Sequence, residues 1–175
     1  MTEHQLLKLL GKYNLKVATA ESCTGGLVAG LLCDISGISA FFEEGFITYS
    51  EHAKIKNLGV SPETLAQYGV VSRETAEEMA KGAARRANAS CAIATTGVAG
   101  PTGGTEETPV GTVCFACVVN EQVFSERVVF SGNRMEVRMQ AAVYAVELLC
   151  DHIVSCYEDS YENNYVDSCE DSEEK

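Results

Sequence analysis

The segment that decides the fold is residues 16–35, KVATAESCTGGLVAGLLCDI. Its first part, KVATA at 16–20, is a short apolar run typical of a buried strand, and LVAGLLCDI at 27–35 is typical of an apolar helix. The turn between them, ESCTGG, contains a carboxylate, two hydroxyls, a thiol and two glycines. A strand that leads directly into a helix predicts an α/β sheet. The crowding of reactive side chains in this turn raises the question of a functional site there.

Further along the chain, helices and strands alternate and then end in a hairpin. Ser50, Ser61 and Ser72 each stand at the start of a predicted helix, where a serine side chain can accept a hydrogen bond from a free backbone N–H. Asn120-Glu121 separates two strand-like segments and predicts a hairpin turn. The predicted strands are 16–20, 41–50, 89–97, 110–119 and 122–130, and the predicted helices are 3–13, 24–36, 50–59, 61–69, 72–88 and 133–154. This order predicts an α/β fold, a three-layer α/β/α sandwich with a mixed, mostly parallel sheet.

The charge of the chain is concentrated near its C-terminal end. The 175 residues suit one domain, and the net charge is −12. Residues 1–150 contain 16 acidic and 12 basic side chains, a net of −4, whereas the last 25 residues have a net of −8. A body without excess cations argues against nucleic-acid binding, because phosphates would not be neutralised. We therefore predict a folded domain over 1–154 and a disordered acidic tail over 155–175.

Neither a membrane segment nor a disulfide framework is predicted. No apolar run is long enough to span a bilayer, and the N-terminal residues lack the profile of a secretory signal. These features predict a cytoplasmic protein with reduced cysteines and no membrane partner. Cys114 and Cys117 form a C-x-x-C pair, but residues three apart on a strand point to opposite faces. Because no second pair and no neighbouring histidine completes a zinc site, we predict structural cysteines and no metal.

Two glycine-rich loops follow predicted strands, and the common phosphate-binding motifs fit neither of them. They are ESCTGG at 21–26 and TGVAGPTGG at 96–104. Ligands of open α/β sheets bind beyond the carboxyl ends of the strands, so both loops are candidates for a ligand site. A Walker motif requires a lysine after its last glycine, and the dinucleotide motif G-x-G-x-x-G is not matched. Asp34 is the only aspartate in residues 1–150, which argues against phosphoryl transfer and magnesium chemistry.

The remaining interpretation of the first loop is a hydroxyl or thiol nucleophile at a strand-to-helix turn. Ser22 follows the strand directly, and the free N–H groups of a helix start could stabilise a developing oxyanion. A serine also needs a base to become a good nucleophile. From the local sequence alone, the alternative that Ser22 or Thr24 merely caps the helix stays open.

Two side chains are candidates for the base, and both follow the second predicted strand. His52 could pair with Ser22, although isolated histidines are commonly solvated. Lys54 could act instead if burial and nearby cations lower its pKa from about 10.4 toward about 7–8. Tyr49, at the carboxyl end of the same strand, could then relay the proton or orient the pair. A solvated lysine and a core tyrosine are the alternatives without a catalytic role.

Two arginines open the last predicted helix. Arg134 and Arg138 are four residues apart and therefore lie on one helix face. Paired guanidinium groups beside a helix start suit a phosphate monoester. Surface salt bridges are the other interpretation of the same pair.

Five segments, taken in order, resemble one known family. They are TAESCTGG, GFITYSEHAK, GVVS, TGVAGPTGGTEETPVGTV and FSGNRMEVRMQAAVYAVELL. Together they are similar to the CinA C-terminal domain family, which includes stand-alone nicotinamide-nucleotide amidases, and the resemblance runs over residues 5–150. It implies hydrolysis of the carboxamide of nicotinamide mononucleotide to nicotinic acid mononucleotide and ammonia, with a small nucleotide substrate and no metal or organic cofactor.

The resemblance also implies roles for individual residues. The serine of ESCTGG, Ser22, corresponds to the family nucleophile, Lys54 of the TYSxxAK motif to the base, and Tyr49 of the same motif to an assisting group. Backbone N–H groups near Thr24 and Gly25 are expected to hold the oxyanion, and one of the two arginines the 5′-phosphate. The residues expected to bind the substrate are Thr24, Gly25, Gly26, Thr96, Gly97, Gly100, Arg134 and Arg138.

The chain departs from the family pattern at one position of the second loop, and other functions stay open. The family commonly has serine where Thr96 precedes Gly97, and the additional methyl group is expected to change the pocket shape. The chain could instead bind a nucleotide without catalysis, deamidate another small carboxamide, or act as an interaction protein through its acidic tail, which lies outside the family pattern. Apolar helix surface favours a homo-oligomer, with a dimer as the simplest closed form.

Overall fold

The structure of the protein is a computed structural model that describes the backbone of residues 2–166 and the side chains of residues 5–157. Each predicted strand and helix has a counterpart in it, with shifted ends. The helices are α1 Thr2–Tyr13, α2 Leu27–Cys33, α3 Glu51–Ala53, α4 Pro62–Tyr68, α5 Arg73–Ala87 and α6 Arg134–Val166. The strands are β1 Val17–Glu21, β2 Phe42–Ile47, β3 Cys91–Gly97, β4 Thr112–Val119 and β5 Gln122–Val129. A 3₁₀ turn, Ile38–Ala40, precedes β2, and a π-helical turn, Lys54–Leu58, continues α3.

The strands within the described residues form one mixed sheet in the order β2-β1-β3-β4-β5. β1 pairs in parallel with both β2 and β3, whereas β4 pairs antiparallel with β3 and β5. Four strands therefore run in one direction, although only two of the four neighbouring pairs are parallel. The carboxyl ends of β1, β2 and β3 meet at one edge of the sheet, which is where ligands of α/β sheets bind.

Alternate residues of the strands build separate cores on the two faces of the sheet. On one face, small side chains such as Ala18, Ala92 and Ala116 pack with Met79 of α5. On the other face, larger side chains such as Phe115 pack against α1, α2 and α6. A fully buried side chain of this size contributes roughly 1.5–3 kcal/mol. Helices on both faces confirm the predicted three-layer α/β/α sandwich.

The C-x-x-C pair is divided between these two cores. Cys114 belongs to the core beneath α5, and Cys117 belongs to the core beneath α6. This confirms the prediction that the two thiols point to opposite faces. Within the described residues, no group of three or more His, Cys, Asp or Glu side chains is arranged to hold a metal ion. None of the helices described has the length and apolar character needed to cross a bilayer.

Helix starts follow the predicted caps, with one correction. The hydroxyls of Ser50, Ser61 and Ser72 accept hydrogen bonds from backbone N–H groups of the following turn, as predicted. The predicted start of the second helix at residue 24 is wrong, because α2 begins at Leu27. Gly26, the residue before it, has φ of 99°, a left-handed conformation that suits glycine and is incompatible with a continuous helix.

The last helix continues beyond the predicted domain boundary at residue 154. α6 runs to Val166, and Tyr157 stacks on Tyr13 of α1 with ring centroids 4.2 Å apart. Packing against the body therefore includes residue 157, and the first part of the predicted tail 155–175 is helical. Residues 167–175 lie outside the described residues, so the disorder predicted for them stays a prediction.

Candidate active site

The centre of the site is a hydrogen bond between Ser22 and Lys54. The Nζ of Lys54 donates to Ser22 Oγ at 2.9 Å and to the carbonyl oxygen of Thr48 at 2.7 Å. Ser22 lies one residue beyond β1, where its N–H donates to the carbonyl of Thr95 and so extends the pairing with β3. His52, the other predicted candidate for the base, is exposed; the group that contacts Ser22 is Lys54.

Lys54 is almost completely buried, with 1% of the residue exposed. Burial lowers the pKa of its amine from 10.5 to about 8, because a charged ammonium loses its hydration. The nearby groups of Cys23 and Glu51 oppose this shift. A substantial fraction of the amine is therefore neutral in mildly alkaline solution, as a general base next to a serine requires.

The turn that carries Lys54 is held in place by α5. A Cβ atom on Gly82 of α5 would lie 2.2 Å from the carbonyl oxygen of Leu58, so glycine permits this close approach. Arg85, one turn further along α5, donates to the same carbonyl at 3.1 Å. The π-helical geometry of Lys54–Leu58 and this anchor together direct the lysine side chain inward.

Glu21 organises the turn between β1 and α2. Its buried carboxylate accepts hydrogen bonds from the N–H groups of Gly26, Val28 and Ala29 and from the hydroxyl of Thr24. The carboxylate thus occupies the positive end of α2 and takes the place of a side-chain cap. Our site prediction misses this residue. The sequence feature that could have revealed Glu21 is a carboxylate at the end of a buried strand, five residues before the glycine that precedes a helix.

The position of Glu21 limits which N–H groups of this turn could stabilise an oxyanion. The N–H groups of Gly26, Val28 and Ala29 donate to Glu21, and that of Leu27 donates to the carbonyl of Thr24, so the helix start itself is not free to bind an oxyanion. The hydroxyl of Thr24 is also committed, because it is bonded to both Glu21 and Thr95 at 2.7 Å. The main-chain N–H groups of Thr24 and Gly25, which precede the helix, are not among the donors bonded to Glu21.

Cys23 is next to the proposed nucleophile but is chemically unsuited to the role. Burial raises the pKa of its thiol to about 12, so the thiolate is scarce at neutral pH. The hydroxyl of Ser22, in contrast, is bonded to an amine. Of the two nucleophile types that the sequence left open, the structure favours the hydroxyl.

A cavity of about 320 Å³ opens beside Ser22 at the carboxyl edge of the sheet. It is lined by Ser22, Cys23, Tyr49, Glu51, Val70, Val71, Thr96 and Gly97. Four of these are among the predicted site residues, and they come from three separate segments of the chain. Val70 and Val71, which are not in the predicted set, supply an apolar wall.

Thr96 and Gly97 act on the shape of this cavity. The hydroxyl of Thr96 donates to the carbonyl of Val70 at 2.6 Å, so this side chain holds the apolar wall in place. A Cβ atom on Gly97 would lie 2.5 Å from the carbonyl oxygen of Thr112, so the close pairing of β3 with β4 requires glycine here. Thr96 therefore lines the cavity, but its hydroxyl proton is already donated to the carbonyl of Val70.

The two arginines have different partners. Arg138 donates to the carbonyl oxygens of Cys23 and Thr24, at 3.0 and 2.7 Å, and so braces the turn between β1 and α2. Arg134 donates to the carbonyl of Gly100 at 2.7 Å and to the hydroxyl of Tyr49 at 3.1 Å. Arg134 is exposed and Arg138 is half-buried. The structure thus brings Arg134, and not Lys54, to the Tyr49 hydroxyl.

Most of the chain matches one family. The sequence model of the CinA C-terminal domain matches residues 1–153. The chain belongs to the CinA C-terminal domain family. Among solved structures, the competence-damaged protein (CinA) superfamily protein from Enterobacter cloacae superposes with a TM-score of 0.84 at 39% identity, over 87% of this chain and 90% of that one.

Curated relatives of the chain differ in length. "CinA-like protein" from Kosmotoga olearia is 46% identical over 147 residues, which are 84% of this chain but 36% of that protein. The chain therefore spans about a third of the length of such relatives. "Nicotinamide-nucleotide amidohydrolase PncC" from Escherichia coli is 48% identical over 157 residues, covering 85% of this chain and 95% of that protein.

Proposed function

We propose that this chain hydrolyses the carboxamide of nicotinamide mononucleotide, with Ser22 as nucleophile and Lys54 as general base. The observation that carries the proposal is the 2.9 Å contact between the buried Lys54 amine and Ser22 Oγ beside a cavity. The amidohydrolase name of the Escherichia coli relative, which this chain matches along nearly its whole length, supports the choice of substrate.

The first half of the reaction forms an acyl-enzyme. In the neutral amine, the Nζ lone pair of Lys54 faces Ser22 while one N–H donates to the carbonyl of Thr48. Ser22 Oγ attacks the carboxamide carbon as its proton passes to Nζ, and the N–H groups of Thr24 and Gly25 stabilise the oxyanion. The C–N bond then breaks, and the Lys54 ammonium protonates the leaving nitrogen to give ammonia.

The second half returns the enzyme to its starting state. A water molecule attacks the ester carbon and transfers a proton to the neutral Lys54 amine. The bond to Ser22 Oγ breaks, Lys54 returns the proton to that oxygen, and nicotinic acid mononucleotide leaves. Lys54 acts as base and then as acid in each half, so a single group with a pKa of about 8 serves both steps.

Arg134 and Tyr49 are our candidates for the phosphate end of the substrate. Their side chains are exposed and bonded to each other, Tyr49 lines the cavity, and Arg134 also contacts the second glycine-rich loop at Gly100. Arg138 is less suited to binding the phosphate, because its guanidinium already donates to two carbonyl oxygens of the turn that carries Ser22. We therefore assign Arg138 a positioning role and Arg134 the phosphate contact.

Ammonia release from nicotinamide mononucleotide tests the proposal directly. We expect turnover by the wild-type protein and a loss of at least about 1000-fold for Ser22→Ala, with an unchanged melting temperature. Nicotinamide and nicotinamide riboside, measured in parallel, are expected to be poorer substrates because they lack the phosphate. Binding of the mononucleotide without ammonia release would indicate a nucleotide-binding protein, and equal turnover of nicotinamide would indicate a different amidase. A fully active Ser22→Ala variant would refute the mechanism.

A further inference from the structure

Glu51 is a carboxylate without an assigned role at the mouth of the proposed site. It is the first residue of α3, directly after the Ser50 cap, and its side chain is exposed and lines the same cavity as Ser22. Among residues 5–157, no side chain forms an ion pair with this carboxylate or donates a hydrogen bond to it. Its negative charge nevertheless acts on Lys54, because it raises the pKa of that amine against the effect of burial.

The rest of the described cavity lining carries no fixed charge. It consists of hydroxyl, thiol, valine and glycine groups, so Glu51 is the single acidic or basic side chain among the eight lining residues. Lys54 is buried, is bonded to Ser22 and is not part of the lining. Two basic groups border this lining without belonging to it: Lys54, which is largely neutral above pH 8, and Arg134, which is bonded to Tyr49. Once Lys54 is neutral, the Glu51 carboxylate is the charge within the lining, and a cation on the ligand complements it.

The substrate class of the proposed function supplies such a cation. The ring nitrogen of a pyridinium carboxamide is bonded to ribose and carries a positive charge at every pH. Resting on the proposed function, we propose that Glu51 is a specificity-determining residue that faces this ring and selects N1-substituted pyridinium carboxamides over neutral carboxamides of the same shape. The pyridinium ring then lies at Glu51 and the phosphate at Arg134. Binding of these two charged groups at separate places directs the carboxamide to Ser22.

Binding to a catalytically inactive protein measures this selection without turnover. The background is Ser22→Ala, and the two ligands are nicotinamide mononucleotide and its reduced 1,4-dihydropyridine form, which has the same carboxamide, ribose and phosphate but a neutral ring. Dissociation constants are measured by calorimetry at pH 9, above the Lys54 pKa of about 8, so that a protonated lysine does not repel the cation. We expect the cationic form to bind about fivefold more tightly.

Three further substitutions in this background isolate the carboxylate. Glu51→Gln is expected to reduce the preference below about twofold, and Glu51→Lys to reverse it. Glu44→Gln is the matched control, because Glu44 is an exposed carboxylate that lines a separate cavity with Lys56 and Arg86. It makes the same change in net charge and is expected to keep the full preference.

Several outcomes would overturn the assignment. They are an unchanged preference in Glu51→Gln, an equal loss of affinity for both ligands, a change confined to the melting temperature, and no measurable binding of either nucleotide. The last of these would also argue against the proposed substrate. Failure of the proposed catalysis is recognised separately, as a wild-type protein that binds the cation selectively but releases no ammonia.

Discussion

Cavities lie at both ends of the central sheet, and they differ in chemistry as well as in size. At the amino end of β3, a cavity of about 770 Å³ is lined in part by Lys81 and Ser90. Lys81 has a side chain that is 51% exposed and lies 3.8 Å from Glu77, in an ion pair that water screens. At the carboxyl end, the cavity is less than half that volume, but beside it Lys54 is buried and bonded to Ser22.

The contrast shows that burial, rather than cavity volume, turns a lysine into a candidate base. Both ends of the sheet provide an amine and a hydroxyl in the same neighbourhood. Lys54 has lost its hydration, which lowers the pKa of its amine to about 8, and this amine faces a serine hydroxyl. The larger cavity therefore has the residue types of the proposed site without their arrangement.

Replacing each lysine by methionine tests this contrast and has the largest expected effect. Lys54→Met is expected to reduce kcat for ammonia release by at least about 1000-fold, because Ser22 loses its base. Lys81→Met, at the larger cavity, is expected to leave kcat within about twofold of wild type. Comparable losses in the two variants would place the chemistry elsewhere.

Glu21→Gln tests whether the buried carboxylate positions the turn that carries Ser22, the proposed nucleophile. An amide can accept fewer of the four hydrogen bonds that Glu21 receives, so we expect kcat to fall by about 10- to 100-fold with little change in KM. The free energy of unfolding should fall by about 1–3 kcal/mol.

Glu78→Gln is the matched control for this substitution. Glu78 also accepts from a backbone N–H and a threonine hydroxyl, those of Ser61 and Thr64, but it lies outside the site. It is expected to lose stability and to keep kcat. Equal kcat in Glu21→Gln and wild type would show that the carboxylate serves stability alone.

Arg134→Gln is expected to have a smaller effect, on substrate binding. Loss of a charge-assisted phosphate contact should raise KM for nicotinamide mononucleotide about 10-fold and leave the riboside unaffected. Arg127→Gln is the control, because Arg127 is also bonded to a loop carbonyl, that of Glu107, but does not line the cavity. A similar rise in KM for the riboside would exclude a specific phosphate contact at Arg134.

The layers of the fold could be predicted from the sequence because apolar runs, glycines and serine caps are local signals. The order of the strands could not be predicted, since it depends on pairings between distant segments: β1 lies between β2 and β3. The start of α2 was placed three residues early because the side-chain contacts of Glu21 compete with helix formation at Thr24. The oligomeric state and cytoplasmic location stay predictions.

The proposed nucleophile and base could be predicted because their loops follow strands whose carboxyl ends meet. The structure brings Ser22 and Lys54 together, although their catalytic roles stay proposals. The partners of the arginines could not be predicted, because Arg138 contacts carbonyls 114 and 115 residues away in sequence. Tyr49 was expected to contact Ser22 or Lys54. Its hydroxyl instead accepts a hydrogen bond from Arg134, which is also distant in sequence.

The pH dependence of stability sharpens the comparison further. Below pH 8, Lys54 is protonated in both the folded and the unfolded state, and its burial as a cation costs roughly 3 kcal/mol. Between pH 8 and about 10.5 the unfolded state binds more protons, so this cost disappears as the pH rises. Methionine at this position avoids that cost. The free energy of unfolding of Lys54→Met, relative to that of wild type, should therefore fall by about that amount between pH 7 and pH 11, as measured by denaturant unfolding. A difference that does not depend on pH would contradict the burial of a charged amine.

The most direct test of the central claim is a titration of the lysine side chains by NMR, observed at the ¹³Cε atoms. We expect one resonance, absent from Lys54→Met, to titrate with a midpoint near pH 8. If every lysine resonance titrates near 10.4 instead, Lys54 is a solvated cation in solution and cannot serve as the base for Ser22.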